Sequence, residues 1–350
     1  MAVLELGIMR HDAKNLQKGQ ELIDWAMEHG VNHFEACWFY MNYQCEPYLY
    51  SLLEKYNRED YFICGKMPIH NVLQKITPQE LFETQIERVP GHYFDTYLLQ
   101  AADEKVFLDI DQMKLIEFLE EQKEKGLIKR LGLSIQCLPG TFKKYLEKYK
   151  WDVVQMPINY YDWYLCRYDE NYRLACEYNV PIIAQAPVKG GLLVKTSNFP
   201  ETAYEPYGAS LSEAAYGFVT SLPNIEMVLC GNSSLNTFSE SYHAFNKNCI
   251  IPHDVYQEAL NLYVKNMSIH CIRCGRCNNV CPQRLPISSL FTLYNLGLNN
   301  KSYFNALDIL KAGTGEPSHT CTHCGACLSK CPQHLNIPSL FYTHIFELRT

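Results

Sequence analysis

The residues with the plainest chemistry are eight cysteines in two runs. The first run is Cys271, Cys274, Cys277 and Cys281, followed by Pro282; the second is Cys321, Cys324, Cys327 and Cys331, followed by Pro332. Both read C-x2-C-x2-C-x3-C-P, the spacing that holds [4Fe–4S] clusters. The copies continue alike, Pro-Gln-Arg-Leu-Pro-Ile-Ser-Ser-Leu-Phe against Pro-Gln-His-Leu-Asn-Ile-Pro-Ser-Leu-Phe, so the segment is an internal duplication. Three closely spaced thiolates can wrap one cluster corner by corner. Gly275 and Gly325 let the backbone turn tightly there, since no Cβ intrudes. In tandem runs the fourth Cys serves the other cluster. That rule predicts two [4Fe–4S] clusters, one on Cys271, Cys274, Cys277 and Cys331, the other on Cys321, Cys324, Cys327 and Cys281. A zinc site would want two C-x2-C pairs rather than three consecutive thiols. Disulfides would need an oxidising compartment, which nothing in the sequence indicates.

The two runs begin fifty residues apart. Apolar residues between them, in Leu290–Leu296 and Tyr303–Leu310, recur at three and four, which suits helices. This region resembles an α-helical ferredoxin domain more than the compact two-cluster ferredoxin.

The elements that must accompany these thiols follow from the rest of the chain. It has 350 residues, enough for one large domain and a small one, and 47% are apolar, ample for a core. A net charge of −7, from 31 basic and 38 acidic residues, gives no sign of nucleic-acid binding. The first residues lack the basic region and apolar run of a signal peptide, and no apolar run reaches membrane-spanning length. Sixteen cysteines point to a reducing cytoplasm, and exposed clusters to an anaerobic host.

Up to about residue 247, strand and helix signals alternate. Strands are expected at Val3–Ile8, His33–Cys37, Tyr61–Met67, Thr96–Ala102, Arg130–Ile135, Val153–Ile158, Pro181–Pro187 and Glu226–Gly231. Amphipathic helices fall between them. The helix after the third strand opens on Thr77-Pro78-Gln79-Glu80, a capping box with a first-turn proline. Eight such units predict a (β/α)8 TIM barrel over residues 1–247, with the C-terminal α-helical ferredoxin-like domain over 248–350. A doubly wound open sheet is the other reading, but no Gly-rich phosphate loop follows the first strand.

A barrel carries its chemistry at the C-terminal ends of its strands. Those ends hold Glu35 with Tyr40 in the following loop, then Lys66, Gln100, Ser134, Gln155 and Asn159. Polar groups inside apolar runs are costly to bury unless partnered or used.

These residues resemble the aldo-keto reductases. Gly30-Val-Asn-His-Phe-Glu35-Ala-Cys-Trp-Phe-Tyr40 is similar to that family's G-[IV]-N-x-F-D-T-A-x-x-Y, and Phe62-Ile-Cys-Gly-Lys66-Met-Pro to its A-T-K-x segment. Asp95-Thr-Tyr-Leu-Leu-Gln100 looks like D-x-Y-L-L-H. The stretches around Lys125–Ser134, Val154–Tyr160 and Ala186–Gly191 follow in the family's order. More narrowly, the chain resembles the iron–sulfur branch of the family, a barrel with a C-terminal pair of ferredoxin motifs. The resemblance implies hydride transfer from NADPH to a carbonyl. In it Tyr40 would be the proton donor and Lys66 the group that lowers its pKa. Glu35 would stand where the family has Asp, and Gln100 where it has His. Gln100 can donate to an oxyanion but cannot shuttle protons near neutral pH.

The resemblance also puts Ser134, Gln155 and Asn159 where side chains hold the nicotinamide carboxamide. Lys189, before Gly190 and Gly191, could approach a pyrophosphate. Yet the run 231–241 contains no Arg or Lys for a 2′-phosphate, so NADP(H) stays an open question at this level. Trp38, Phe39, Tyr43, Tyr160, Tyr161 and Trp163 either line a pocket for a flat or apolar substrate or pack the barrel rim or the ferredoxin domain. Of the eight other thiols, Cys37 and Cys45 flank Tyr40 and are the two worth testing for reactivity; the rest read as small buried apolar residues.

Three functions follow. Electrons pass between the clusters and a carbonyl-type substrate in the barrel mouth, with a ferredoxin or flavodoxin as electron donor. Or the barrel is an NAD(P)H-dependent carbonyl reductase with structural clusters. Or the protein is a non-catalytic electron-transfer adaptor, which would have no reason to keep Tyr40 and Lys66.

Overall fold

The structure is a computed structural model. It describes residues 2–9, 11–69, 76–102, 107, 110–137, 139–194, 199, 201–232, 234–265, 269–271, 275–283, 285, 287–297, 321–331 and 333–341. These residues form two compact units. One comprises Met1–Trp163, Arg167–Val194 and Tyr204–Pro252; the other His253–Thr350 with Tyr164–Cys166 and Lys195–Ala203.

The first unit contains eight parallel strands that close on themselves in sequence order. They are β1 (Val3–Gly7), β2 (His33–Glu35), β3 (Phe62–Pro68), β4 (Phe94–Ala102), β5 (Ile128–Ile135), β6 (Val153–Pro157), β7 (Ile182–Gln185) and β8 (Ile225–Gly231). The expected TIM barrel is therefore what the chain builds. Strand ends differ from expectation by at most two residues, the margin over which such boundaries fray. Helices follow: α1 (Leu16–Glu28), α2 (Cys45–Leu53), α3 (Pro78–Arg88), α4 (Leu115–Glu124), α5 (Pro139–Lys148), a short α6 (Tyr160–Leu165), α7 (Tyr168–Glu177), α8 (Leu211–Thr220) and α9 (Leu235–Lys247). The Thr77 capping box at the start of α3 forms in both directions.

The barrel interior is apolar over most of its length, with Leu98, Val153, Ile183, Met227 and Leu229 clustered around Cys64. Register sets what faces what. Lys66 lies beside Leu98, Pro68 beside Gln100, and Ser134 beside Gln155.

The second unit contains α10 (His253–Lys265), α11 (Ile287–Gly297) and the four-residue α12 (Ile337–Leu340). The helix expected over 303–310 lies outside the described residues. Among the described residues, no helix is long and apolar enough to cross a membrane.

The duplication is visible in backbone angles. Cys277 and Cys327 lie at φ/ψ of −70°/−31° and −76°/−20°. Cys281 and Cys331 lie at −75°/116° and −79°/114°. Each motif makes one 3-10 turn, Asn278–Val280 and Leu328–Lys330, closed by a bond back to the carbonyl of Gly275 or Gly325. Both glycines have positive φ, 69° and 74°, the conformation their missing Cβ permits.

Candidate active site and cluster centre

Two groups of polar side chains sit at the C-terminal end of the barrel. The first is buried. Lys66 Nζ lies 2.8 Å from Glu35 Oε1 and donates to Gln155 Oε1, also at 2.8 Å. Gln155 Nε2 donates to Glu35 Oε2 at 2.5 Å, and Ser134 Oγ donates to Gln155 Oε1 at 3.0 Å. None of the four side chains is left with an idle polar face, which is what a water-free position requires. Burial works against the Lys66 ammonium, but Glu35 outweighs it and, with Tyr40 and Cys64, holds its pKa above the ordinary lysine range. Lys66 is therefore a cation at rest, only 2% exposed.

The second group is half-buried. Gln100 Nε2 donates to the Tyr40 hydroxyl at 3.0 Å, and the Cys37 thiol donates to Gln100 Oε1 at 3.0 Å. These bonds aim the Gln100 amide and leave the Tyr40 O–H to donate elsewhere. Burial pushes the Tyr40 phenol well above its ordinary value, although the Lys66 charge pulls it down. Tyr40 is therefore a neutral hydrogen-bond donor next to the positive charge of Lys66.

The remaining expected residues go elsewhere. Asn159 Nδ2 donates to Asp162 Oδ2 at 2.8 Å and to the Ala186 carbonyl at 3.0 Å, while its Oδ1 accepts from the Asp162 N–H. Lys189 pairs with Asp162 at 2.6 Å and lies over the Tyr161 ring, 4.6 Å from its centroid. Sequence reasoning missed Asp162, a buried carboxylate that takes up both. It also missed Glu5, whose signal was available: a lone carboxylate in the apolar run Val3–Ile8. Burial, reinforced by Glu35, raises the Glu5 carboxyl to about 8.

Burial decides two points that the sequence leaves open. Tyr160 and Tyr161 are buried, and Trp163 packs on Tyr172 and Phe218 at 5.1 and 5.6 Å, so these rings build the barrel wall. Trp38, Phe39 and Tyr43 do stay together near Tyr40, with Phe39 4.9 Å from the Tyr40 ring. Cys37 and Cys45 are both buried, and burial raises both thiols, Cys45 to about 12, so neither is a poised nucleophile.

In the second unit, Cys281, Cys321, Cys324 and Cys327 line one cavity, with Leu285, Ile337 and Phe341 on its apolar side. This is the crossed set predicted from spacing: three thiols of one run with the fourth of the other. Burial, then the neighbouring Cys321, Cys324 and Cys281 sulfurs, pushes the Cys327 thiol up. Four sulfurs around one cavity suit a cationic iron–sulfide core, which would hold them as thiolates. Cys271, Cys277 and Cys331 pack on the same apolar cluster. Cys274 lies outside the described residues.

Comparison with known proteins gives a consistent result. The family model "Aldo/keto reductase family" matches residues 4–256, and "4Fe-4S dicluster domain" matches 270–336. No curated protein matches. Among solved structures, the apo form of an aldo-keto reductase from Bacillus halodurans is similar over 74% of this chain and 90% of its own, at 20% identity and a TM-score of 0.57. An aldo-keto reductase from Klebsiella pneumoniae, solved with NADPH, is similar over 75% and 90%, at 15% identity and 0.61. The aldose reductase of Giardia lamblia is similar over 75% and 93%, at 16% identity and 0.57. At such identities these likenesses speak for the fold. With the family model spanning the whole barrel, the chain belongs to the aldo/keto reductase family, and is an oxidoreductase of that type bearing a 4Fe–4S dicluster domain.

Proposed function

We propose that the protein reduces a carbonyl-type group, or oxidises the matching alcohol, in the barrel mouth, exchanging electrons through two [4Fe–4S] clusters. In this reading the chain divides near residue 247 into a catalytic barrel and a cluster domain. The clusters, when bound, supply single electrons, delivered by a low-potential one-electron protein such as a ferredoxin or flavodoxin. Two electrons reach the carbonyl one at a time together with two protons: Tyr40 gives one to the substrate oxygen as negative charge develops there, and water gives the other to the carbon. Lys66, held by Glu35, stabilises that charge and the phenolate left behind. Gln100 orients the Tyr40 hydroxyl. Trp38, Phe39 and Tyr43 offer a flat apolar wall.

The observation that carries this reading is that the groups the family would turn towards a nicotinamide are spent on each other. Gln155 is taken by Glu35, Lys66 and Ser134. Asn159 and Lys189 are taken by Asp162. Freeing any of them would leave a buried polar or charged partner unpaired, at about 1–3 kcal/mol each and more for a charge. No Lys or Arg in 231–241 compensates. The residues present fit NADP(H) poorly.

Anaerobic reconstitution followed by titration with dithionite, NADPH and NADH tests the proposal, watched optically and by EPR. The expected outcome is two clusters reduced by dithionite and no nicotinamide binding. Tight NADPH binding, with turnover surviving Cys→Ser changes at Cys321 and Cys327, would favour instead an NADPH-dependent reductase with structural clusters.

A further inference from the structure

Glu5 stands apart from the groups used above. It projects from β1 into the barrel, is 1% exposed, and its Oε2 has no hydrogen-bond partner. Its carboxyl lies within 4.8 Å of both the Glu35 carboxylate and the Cys64 sulfur. On its other side a cavity of about 180 Å³ opens at the N-terminal end of the strands. His33, Phe62, Asp95, Thr96 and Arg130 line it, and Phe62 is 40% exposed. At about 30 Å³ of liquid per molecule, such a space holds several waters, and it is polar enough to keep them. Glu5 therefore sits between a wettable cavity at the base of the barrel and the Glu35–Lys66 pair at its top.

We propose that Glu5 is a proton relay, carrying protons from solvent at the base of the barrel through Glu35 and Lys66 to Tyr40. The proposal rests on the assignment of Tyr40 as proton donor. When Tyr40 gives up its proton, the phenolate takes one from Lys66. The amine is recharged through Glu35, Glu35 from Glu5, and Glu5 from water in the base cavity. One proton enters from solvent for each one delivered to substrate, and every group returns to its starting charge. The arrangement lets a mouth closed by substrate be recharged from the opposite face. A carboxyl raised to about 8 can both hold and release a proton near neutral pH. The charged and titratable groups that act on it are Glu35 from β2, Cys64 and Lys66 from β3, Arg130 from β5 and Glu226 from β8. Arg130 is itself held by both Glu226 oxygens, at 2.5 and 2.8 Å, so it does not neutralise Glu5 outright.

Two measurements on the holoprotein test this. Infrared difference spectra across pH need no substrate. Wild type should show a buried protonated carboxyl that titrates near 8 and exchanges rapidly in D2O, absent from Glu5→Gln. No such band, or one that resists exchange, overturns the relay even if the enzyme is active. The second measurement is turnover of 4-nitrobenzaldehyde with reduced protein. Glu5→Gln should lower kcat by about tenfold or more, with KM unchanged and a larger solvent isotope effect, and Glu5→Asp should recover part of the loss. Wild-type kcat and isotope effect in Glu5→Gln would sink the proposal. If wild type turns over no aldehyde, the assigned reaction fails and the infrared result alone decides the relay. Glu5→Leu separates packing from titration: it should match Glu5→Gln in kinetics if only the proton matters, and a fully active Glu5→Leu overturns the relay.

Discussion

Tyr40 is a weak acid made weaker by burial, and its use depends on what lies beside it. Replacing it with Phe removes one hydroxyl and the Gln100 bond, with little change in packing. Turnover is expected to fall on the order of a hundredfold or more while thermal stability stays nearly constant. Loss of turnover with a matching loss of stability would point to a structural role. The Glu35–Lys66 pair behaves oppositely. Glu35→Ala leaves an ammonium buried without its counter-charge, so stability should fall by about 3–5 kcal/mol, measurable by denaturant unfolding. Glu46 offers a pH test. Burial raises its carboxyl to about 7, against the pull of Gln85 and Arg88. A folded value above the unfolded one means the folded state holds the proton more tightly. Its stabilising contribution is complete below the ordinary carboxyl range and is lost as pH rises through about 7. Glu46→Gln should therefore gain stability relative to wild type as pH rises from about 5 to 8, and parallel melting curves across that range would contradict the assignment.

At the scale of elements, the two cluster runs are copies in angle as well as in sequence. That makes crossed ligation testable. Cys281→Ser and Cys321→Ser should weaken the same cluster signal, while Cys331→Ser should weaken the other, by EPR and iron content. If Cys281→Ser instead disturbed the signal governed by Cys271, the clusters would be ligated run by run. The start of α3 is governed by the Thr77 box, and Thr77→Ala should cost about 1 kcal/mol with no effect on the clusters. Tyr40 lies in the loop after β2. Its position is set by where β2 ends, and β2 ends where its apolar run meets Glu35.

At the scale of the whole molecule, each compact unit has its own core. The barrel is closed by strand pairing and filled by Leu98, Val153, Ile183, Met227 and Leu229. The core of the second unit includes two of its own candidate ligands, Cys277 and Cys327, beside Phe291 and Phe341. Removing iron with a chelator should thus melt structure in the second unit, since its small core cannot spare the metal–sulfur bonds. The barrel's share of the helical circular dichroism should persist to its own melting temperature. A single cooperative loss of all secondary structure on chelation would contradict this.

Periodicity and spacing were enough for the barrel and its eight strands, because those signals are local and repeat along the chain. What the chain could not reveal by itself was how side chains far apart in sequence spend their hydrogen bonds. Gln155 and Glu35 are 120 positions apart, and only closure of the sheet brings them to 2.5 Å. The same closure ties Asn159 and Lys189 to Asp162, buries Cys37 and Cys45, and turns Tyr160, Tyr161 and Trp163 into wall. It also sets Glu5 between a cavity and a charge pair. A buried polar group must find a partner, and which partner is decided by the three-dimensional neighbourhood rather than by position in the chain.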